Sequence, residues 1–204
     1  MNTKRMLMIA LAVAIVLMLG VSVVSAQDNR GNGNGNGGGR GNGYQGGRNP
    51  DAARGGSNGG GLYLNLPPAS ADELPQDVID LMTGGWLDEQ HAYAVYSSVI
   101  DQFGAVRPFV NIQRSEAQHI SAWETLFARY GVAIPEVPAF DLPEFASLTD
   151  ACAVGAEAEV ANFGLYDTML SAFEAYPDLQ YVAQTLRDAS EFNHQPAFEM
   201  CAGV

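Results

Sequence analysis

The chain has a single lysine, Lys4, and from residue 62 to the end it has none, with only four arginines facing 21 acidic residues. That balance, within a formal net charge of -13, excludes nucleic acid as a partner of this region, because phosphate contacts are made mainly by basic side chains. The two cysteines, Cys152 and Cys201, are too few for a four-thiolate zinc or iron–sulfur site. Histidines number three, so any imidazole site must draw on His91, His119 and His194. β-Branched runs are absent and apolar alternation is short, so no strand is predicted and the fold class expected is all-α.

What is present begins with a leader. Lys4 and Arg5 precede an apolar run over 6–24, and Val24-Ser25-Ala26 supplies small residues. This reads as a secretory signal over 1–26, cleaved before Gln27. The alternative is a retained anchor, since a run of roughly 18–20 apolar residues spans a bilayer. Both place the remainder outside the cytoplasm: secreted, periplasmic or attached to the cell envelope. If the signal is cleaved, no stable membrane span remains. Residues 27–61 are mostly Gly, Asn and Arg, with little apolar side chain to offset backbone ordering, so a flexible tether is expected. Arg–Gly repeats bind RNA in other settings, but export favours a spacer. The remaining domain is 62–204.

Within it, Ser70-Ala71-Asp72-Glu73 matches a capping box and predicts a short helix over 71–82, broken by Thr83-Gly84-Gly85. Apolar spacing then predicts long helices over 86–103, 108–130, 150–175 and 178–200. Gly104 and Gly131 are stops, and Pro108 and Pro177 are starts. The stretch 132–149 contains three prolines and no sustained period. It is long enough to cross the height of a bundle.

Polar residues interrupt the apolar faces in a repeated order. Glu89 is followed by Tyr96 on the first long helix, and Glu159 by Tyr166 on the third, each seven residues on. The second and fourth carry Glu116-x-x-His119 and Glu191-x-x-His194. Seven residues make about two helical turns and three make nearly one, so each set shares a face. Glu89, Glu116, His119, Glu159, Glu191 and His194 are therefore candidate metal ligands. Carboxylates neutralise and bridge two cations while each imidazole completes one metal, and without metal the buried carboxylates would repel one another. Two iron ions suit this set, and manganese uses the same ligands. Tyr96 and Tyr166 are either core residues with a satisfied hydroxyl or donors to the ligands. Glu157 competes with Glu159 but has Gly164 seven residues on. His91 has no counterpart. Pro196, two residues after His194, predicts a kink or an end to the last helix.

The pattern resembles the ferritin-like superfamily of di-iron carboxylate proteins, whose bundles present Glu-x-x-His pairs to a dinuclear site. More narrowly, Arg114-Ser115-Glu116-Ala117-Gln118-His119-Ile120, the helix around Glu89 to Tyr96, and Asn193-His194 before Ala197-Phe198 resemble the exported bacterial and archaeal family DUF2202. The likeness covers about residues 74–202. It implies an antiparallel four-helix bundle with a long crossover between helices two and three, holding a dinuclear site fed by the six residues above. It implies no particular substrate, since the superfamily spans ferroxidases, peroxidases, oxygenases and iron storage.

Cys152 lies seven residues before Glu159 and Cys201 seven after His194. If the third and fourth helices are antiparallel, both sit at one end, about 10 Å from the metal level, and export permits a Cys152–Cys201 disulfide. Two functions remain open, beside a third possibility of a metal-free structural bundle. One is a redox enzyme consuming O2 or peroxide at two ferrous ions. The other is a metal-binding or interaction module without turnover. No rubredoxin-like module is present to supply electrons, and a tethered exported chain suits a storage cage poorly.

Overall fold

The computed structural model describes residues 65–204, and the leader and tether expected over 1–26 and 27–61 lie outside them. The described residues contain helices and no strand. None of these helices is long and apolar enough to cross a membrane.

Helix α1 runs unbroken over Gln76–Phe103. This corrects the expected division into 71–82 and 86–103. Glycine costs a helix roughly 1 kcal/mol relative to alanine, which is why Gly84-Gly85 reads as a break. Both glycines are buried, and a Cβ on Gly85 would lie 2.8 Å from Trp123 Cζ2. The missing side chain lets α1 seat against the indole, and that packing outweighs propensity. The capping box also fails to form: the helix starts after Pro75, and the Ser70 hydroxyl donates to the Ala175 carbonyl at 2.6 Å.

Helix α2 spans Phe109–Arg129. Helix α3 spans Leu148–Ala172 and is capped by Ser147, whose hydroxyl accepts from the Asp150 amide. Helix α4 spans Pro177–Ala189. A π-helical turn follows over Ser190–His194, then α5 over Gln195–Ala202. The single helix expected over 178–200 is thus one helical rod whose hydrogen-bond register changes midway. Pro196 has no N–H to give. The register change places it in the first turn of α5, where none is required.

Side-chain pairs fix the directions. Glu89 meets His119 while Ser97 meets Gln113, so α1 and α2 are antiparallel. Tyr96 meets Glu159 while Tyr166 meets Glu89, so α1 and α3 are antiparallel as well. Asn162 meets Ser190 while Cys152 is bonded to Cys201, which runs the α4–α5 rod antiparallel to α3. The segment between α2 and α3 must therefore traverse the length of the domain. It is held to α1 by Gln102, whose side-chain amide bonds both the carbonyl and the amide of Phe145, and by His91 against the Phe140 ring.

Two apolar clusters form the core. One gathers Trp86, Trp123, Phe127, Met169, Phe173 and Leu186. The other gathers Tyr96, Phe109, Cys152 and Phe198. Beside the first, buried Asp178 accepts from Arg129 at 2.8 Å and from the Tyr130 hydroxyl. Arg129 also donates to the Pro67 carbonyl at 2.7 Å, tying the chain's approach to the domain. In the second, the Cys152–Cys201 disulfide joins α3 to α5. A polar layer lies between the two.

Candidate metal centre

The layer is made by Glu89 from α1, Glu116 and His119 from α2, Glu159 from α3 and His194 from the end of the π turn. All five are at most 5% exposed. Glu89, Glu116 and His119 offer ligand atoms within 4.8 Å of one another, as do Glu116, Glu159 and His194. Glu116 belongs to both groups. His119 Nδ1 stands 2.7 Å from Glu116 and 3.1 Å from Glu89. His194 Nδ1 stands 3.2 Å from Glu116 and 3.4 Å from Glu159. Both imidazoles therefore turn the same nitrogen toward the carboxylates, with their rings stacked 5.4 Å apart.

The tyrosines serve the carboxylates crosswise. Tyr96 donates to Glu159 at 2.6 Å and Tyr166 donates to Glu89. Trp123 Nε1 donates in turn to the Tyr166 oxygen at 3.3 Å. Burial, reinforced by the adjacent carboxylates, pushes both phenols well above their usual range, so they remain O–H donors.

Charge is unevenly held. Burial and the neighbouring Glu116 raise Glu89 to about 7. Burial also works against an ionised Glu116, but His119 beside it outweighs this and holds it at about 2. For the imidazoles burial acts downward and the carboxylates win: Glu89 and Glu116 lift His119, and Glu116 and Glu159 lift His194 to about 9.

Glu191 stands apart. It is directed to Arg187, which also binds Asp167 at 2.5 Å, and it belongs to neither group of ligand atoms. The cause is the π turn. Its hydrogen bonds close i→i+5, so residues four apart, not three, come nearest to one face. Ser190 and His194 point inward, 2% and 4% exposed, and Glu191 is rotated off. Glu159 is buried while Glu157 is exposed. His91 lies outside the layer, against Phe140.

Four further residues border the layer and were not singled out from the sequence as site residues. Ser115 Oγ lies within hydrogen-bond reach of both histidines, 3.2 Å from His119 Nε2 and 3.1 Å from His194 Nε2. Ser190 donates to Asn162 at 2.7 Å, and Asn162 donates to Asp88 at 2.6 Å. Burial, with Glu89 next to it, raises Asp88 to about 7. A signal for the serines was there: both copies of the repeat read Ser-Glu-x-x-His.

The donor set fits a cation pair. Carboxylate oxygen and imidazole nitrogen suit iron or manganese, one carboxylate stands between two groups, and each histidine turns Nδ1 onto two buried carboxylates. Buried carboxylates this close together repel one another unless cations or protonated imidazoles neutralise them. Comparison with protein-family models, with curated proteins and with solved structures finds no match to this chain.

Proposed function

We propose that the domain is a ferritin-like four-helix bundle holding two metal ions, iron or its ligand-equivalent manganese, and that it acts outside the cytoplasm as an oxidoreductase toward O2 or peroxide. The observation that carries this reading is Glu116 shared between two histidine–carboxylate groups, with Nδ1 of each histidine turned toward the carboxylates. Glu89 and His119 would complete one metal, and Glu159 and His194 the other. Three carboxylates against two divalent ions leave a positive charge that a small anion would neutralise. The metals would supply redox equivalents and Lewis acidity. The chain's own part is to hold the carboxylates in place through Tyr96 and Tyr166 and to keep the layer buried.

A second reading, a metal-holding module without turnover, draws support from Glu191. With that carboxylate on Arg187, the protein offers one ligand fewer than the sequence pattern promised. Anaerobic loading with ferrous iron, followed by air, separates the two. Repeated O2 or peroxide consumption in the presence of a reductant supports the oxidoreductase. Two retained ions with no consumption support the module, and no retained metal ends both.

A further inference from the structure

Ser115 sits one residue before Glu116 and four before His119, on the outer side of both imidazoles. Its single oxygen is 3.2 Å from one Nε2 and 3.1 Å from the other. The opposite nitrogens, both Nδ1, face the carboxylates. A serine hydroxyl carries two lone pairs and one proton. It can accept an N–H from each ring at once, and both Nε2 atoms are then protonated. A neutral imidazole protonated at Nε2 has its free lone pair at Nδ1, which is the form a metal ligand needs.

The geometry points to Ser115 as one positioning residue shared by both histidines, setting the tautomer and orientation of each and linking the two metal positions. This rests on the dinuclear reading. A proton on Nδ1 can be exchanged for a metal without disturbing either outer hydrogen bond, so the frame is the same before and after loading. Histidine ligands ordinarily donate their distal N–H to separate partners. Here the rings stack closely enough for one hydroxyl to serve both, and the α register of the first repeat beside the π register of the second brings them there. Ser190, the matching serine of the second copy, is committed to Asn162 and cannot take this role.

The test uses Ser115→Ala and Ser115→Thr in the full chain, with helix content and an intact disulfide as controls for folding. The first measurement is 1H–15N correlation of the imidazole groups in metal-free protein. Both Nε2–H signals of His119 and His194 should be protected in the parent and in Ser115→Thr, and both should be lost to exchange in Ser115→Ala. The second is calorimetric titration with manganese(II), in which Ser115→Ala should weaken both binding events by roughly 10-fold or more. If only one ring or one binding event responds, or neither does, the shared role is overturned. If the parent takes up no manganese(II) or iron(II), the dinuclear reading fails, and the imidazole signals still decide whether Ser115 orients both rings.

Discussion

The Tyr96 hydroxyl donates to Glu159, on the facing helix, and not to Glu89, which precedes it by two turns on its own. Tyr166 returns the relationship by donating to Glu89. Sharing a face with a carboxylate does not decide which one a side chain reaches. In an antiparallel pair, a residue seven places on lies opposite the partner helix's site residue. The two tyrosines differ in what lies behind them, since only Tyr166 accepts from an indole. Tyr166→Phe should therefore be the more destabilising change, by about 1–3 kcal/mol for the abandoned Trp123 N–H. Thermal melts of the two phenylalanine variants compare them directly, and equal losses would contradict the asymmetry.

Glu116 and Glu191 head the two copies of one motif, but only Glu116 lies among the ligand atoms. Glu116→Gln should lower metal uptake at both positions. Glu191→Gln should leave the content near that of the parent, having broken only the contact with Arg187. Elemental analysis of the purified domain reads the difference, and a loss with Glu191→Gln equal to that with Glu116→Gln would put Glu191 back in the site.

Helix glycines should respond to alanine in opposite senses. At Gly85 the new methyl meets the Trp123 ring at 2.8 Å, so overpacking should cost about 1–3 kcal/mol despite the better propensity. At Gly164 nothing lies within 4 Å, and the same change should stabilise by about 0.5–1 kcal/mol. Denaturant unfolding of both variants measures the pair.

Reduction of Cys152–Cys201 removes a cross-link between residues 49 apart. In the chain-entropy account a loop of that length is worth about 4 kcal/mol. The melting temperature should fall on adding reductant, and the Cys152→Ser, Cys201→Ser double variant should match the reduced protein.

The metal-free domain should lose stability on the alkaline side. His194 titrates near 9 when folded against 6.5 as a free group. Its contribution is complete below about pH 6.5 and disappears as pH rises through 9. Glu89, raised from 4.5 to about 7, adds a loss between those values, because the folded state binds its proton more tightly. Glu116, lowered to about 2, acts in the other direction, and its contribution is lost only as pH falls from 4.5 through 2. Melts of metal-free protein from pH 5 to 9.5 should show a falling midpoint. Manganese(II) should reverse the fall at high pH, because it takes the place of the departing Nδ1 protons.

Much of this was legible in the residues, and the failures share a cause. The helical class, the traversing segment after α2 and the cysteine pair follow from apolar spacing, prolines and helix rise. Gly84-Gly85 reads as a break because propensity is local, whereas the indole that occupies the space of Gly85's missing side chain comes from residue 123. Glu191 was misplaced because a three-residue spacing marks one face only in α register. Pro196 was the visible sign of trouble, but a proline announces that a hydrogen bond is missing without saying how the turn before it adapts. Ser115 was within reach of pattern reading, since both copies carry a serine before the glutamate. Its double attachment was not, because His194 reaches it from another helix.

Arg129 bears on how the domain takes a mechanical load. The chain reaches the domain at Pro67, where Arg129 grips the carbonyl and is itself anchored on buried Asp178. Ser70 adds a second hold at Ala175. Tension arriving along the chain from ahead of these residues would be taken up at that end, ten residues along α2 from His119, or about 15 Å at 1.5 Å per residue. The cystine closes the other end. Pulling on the domain would strain its points of attachment before it altered the spacing of Glu116 and its neighbours.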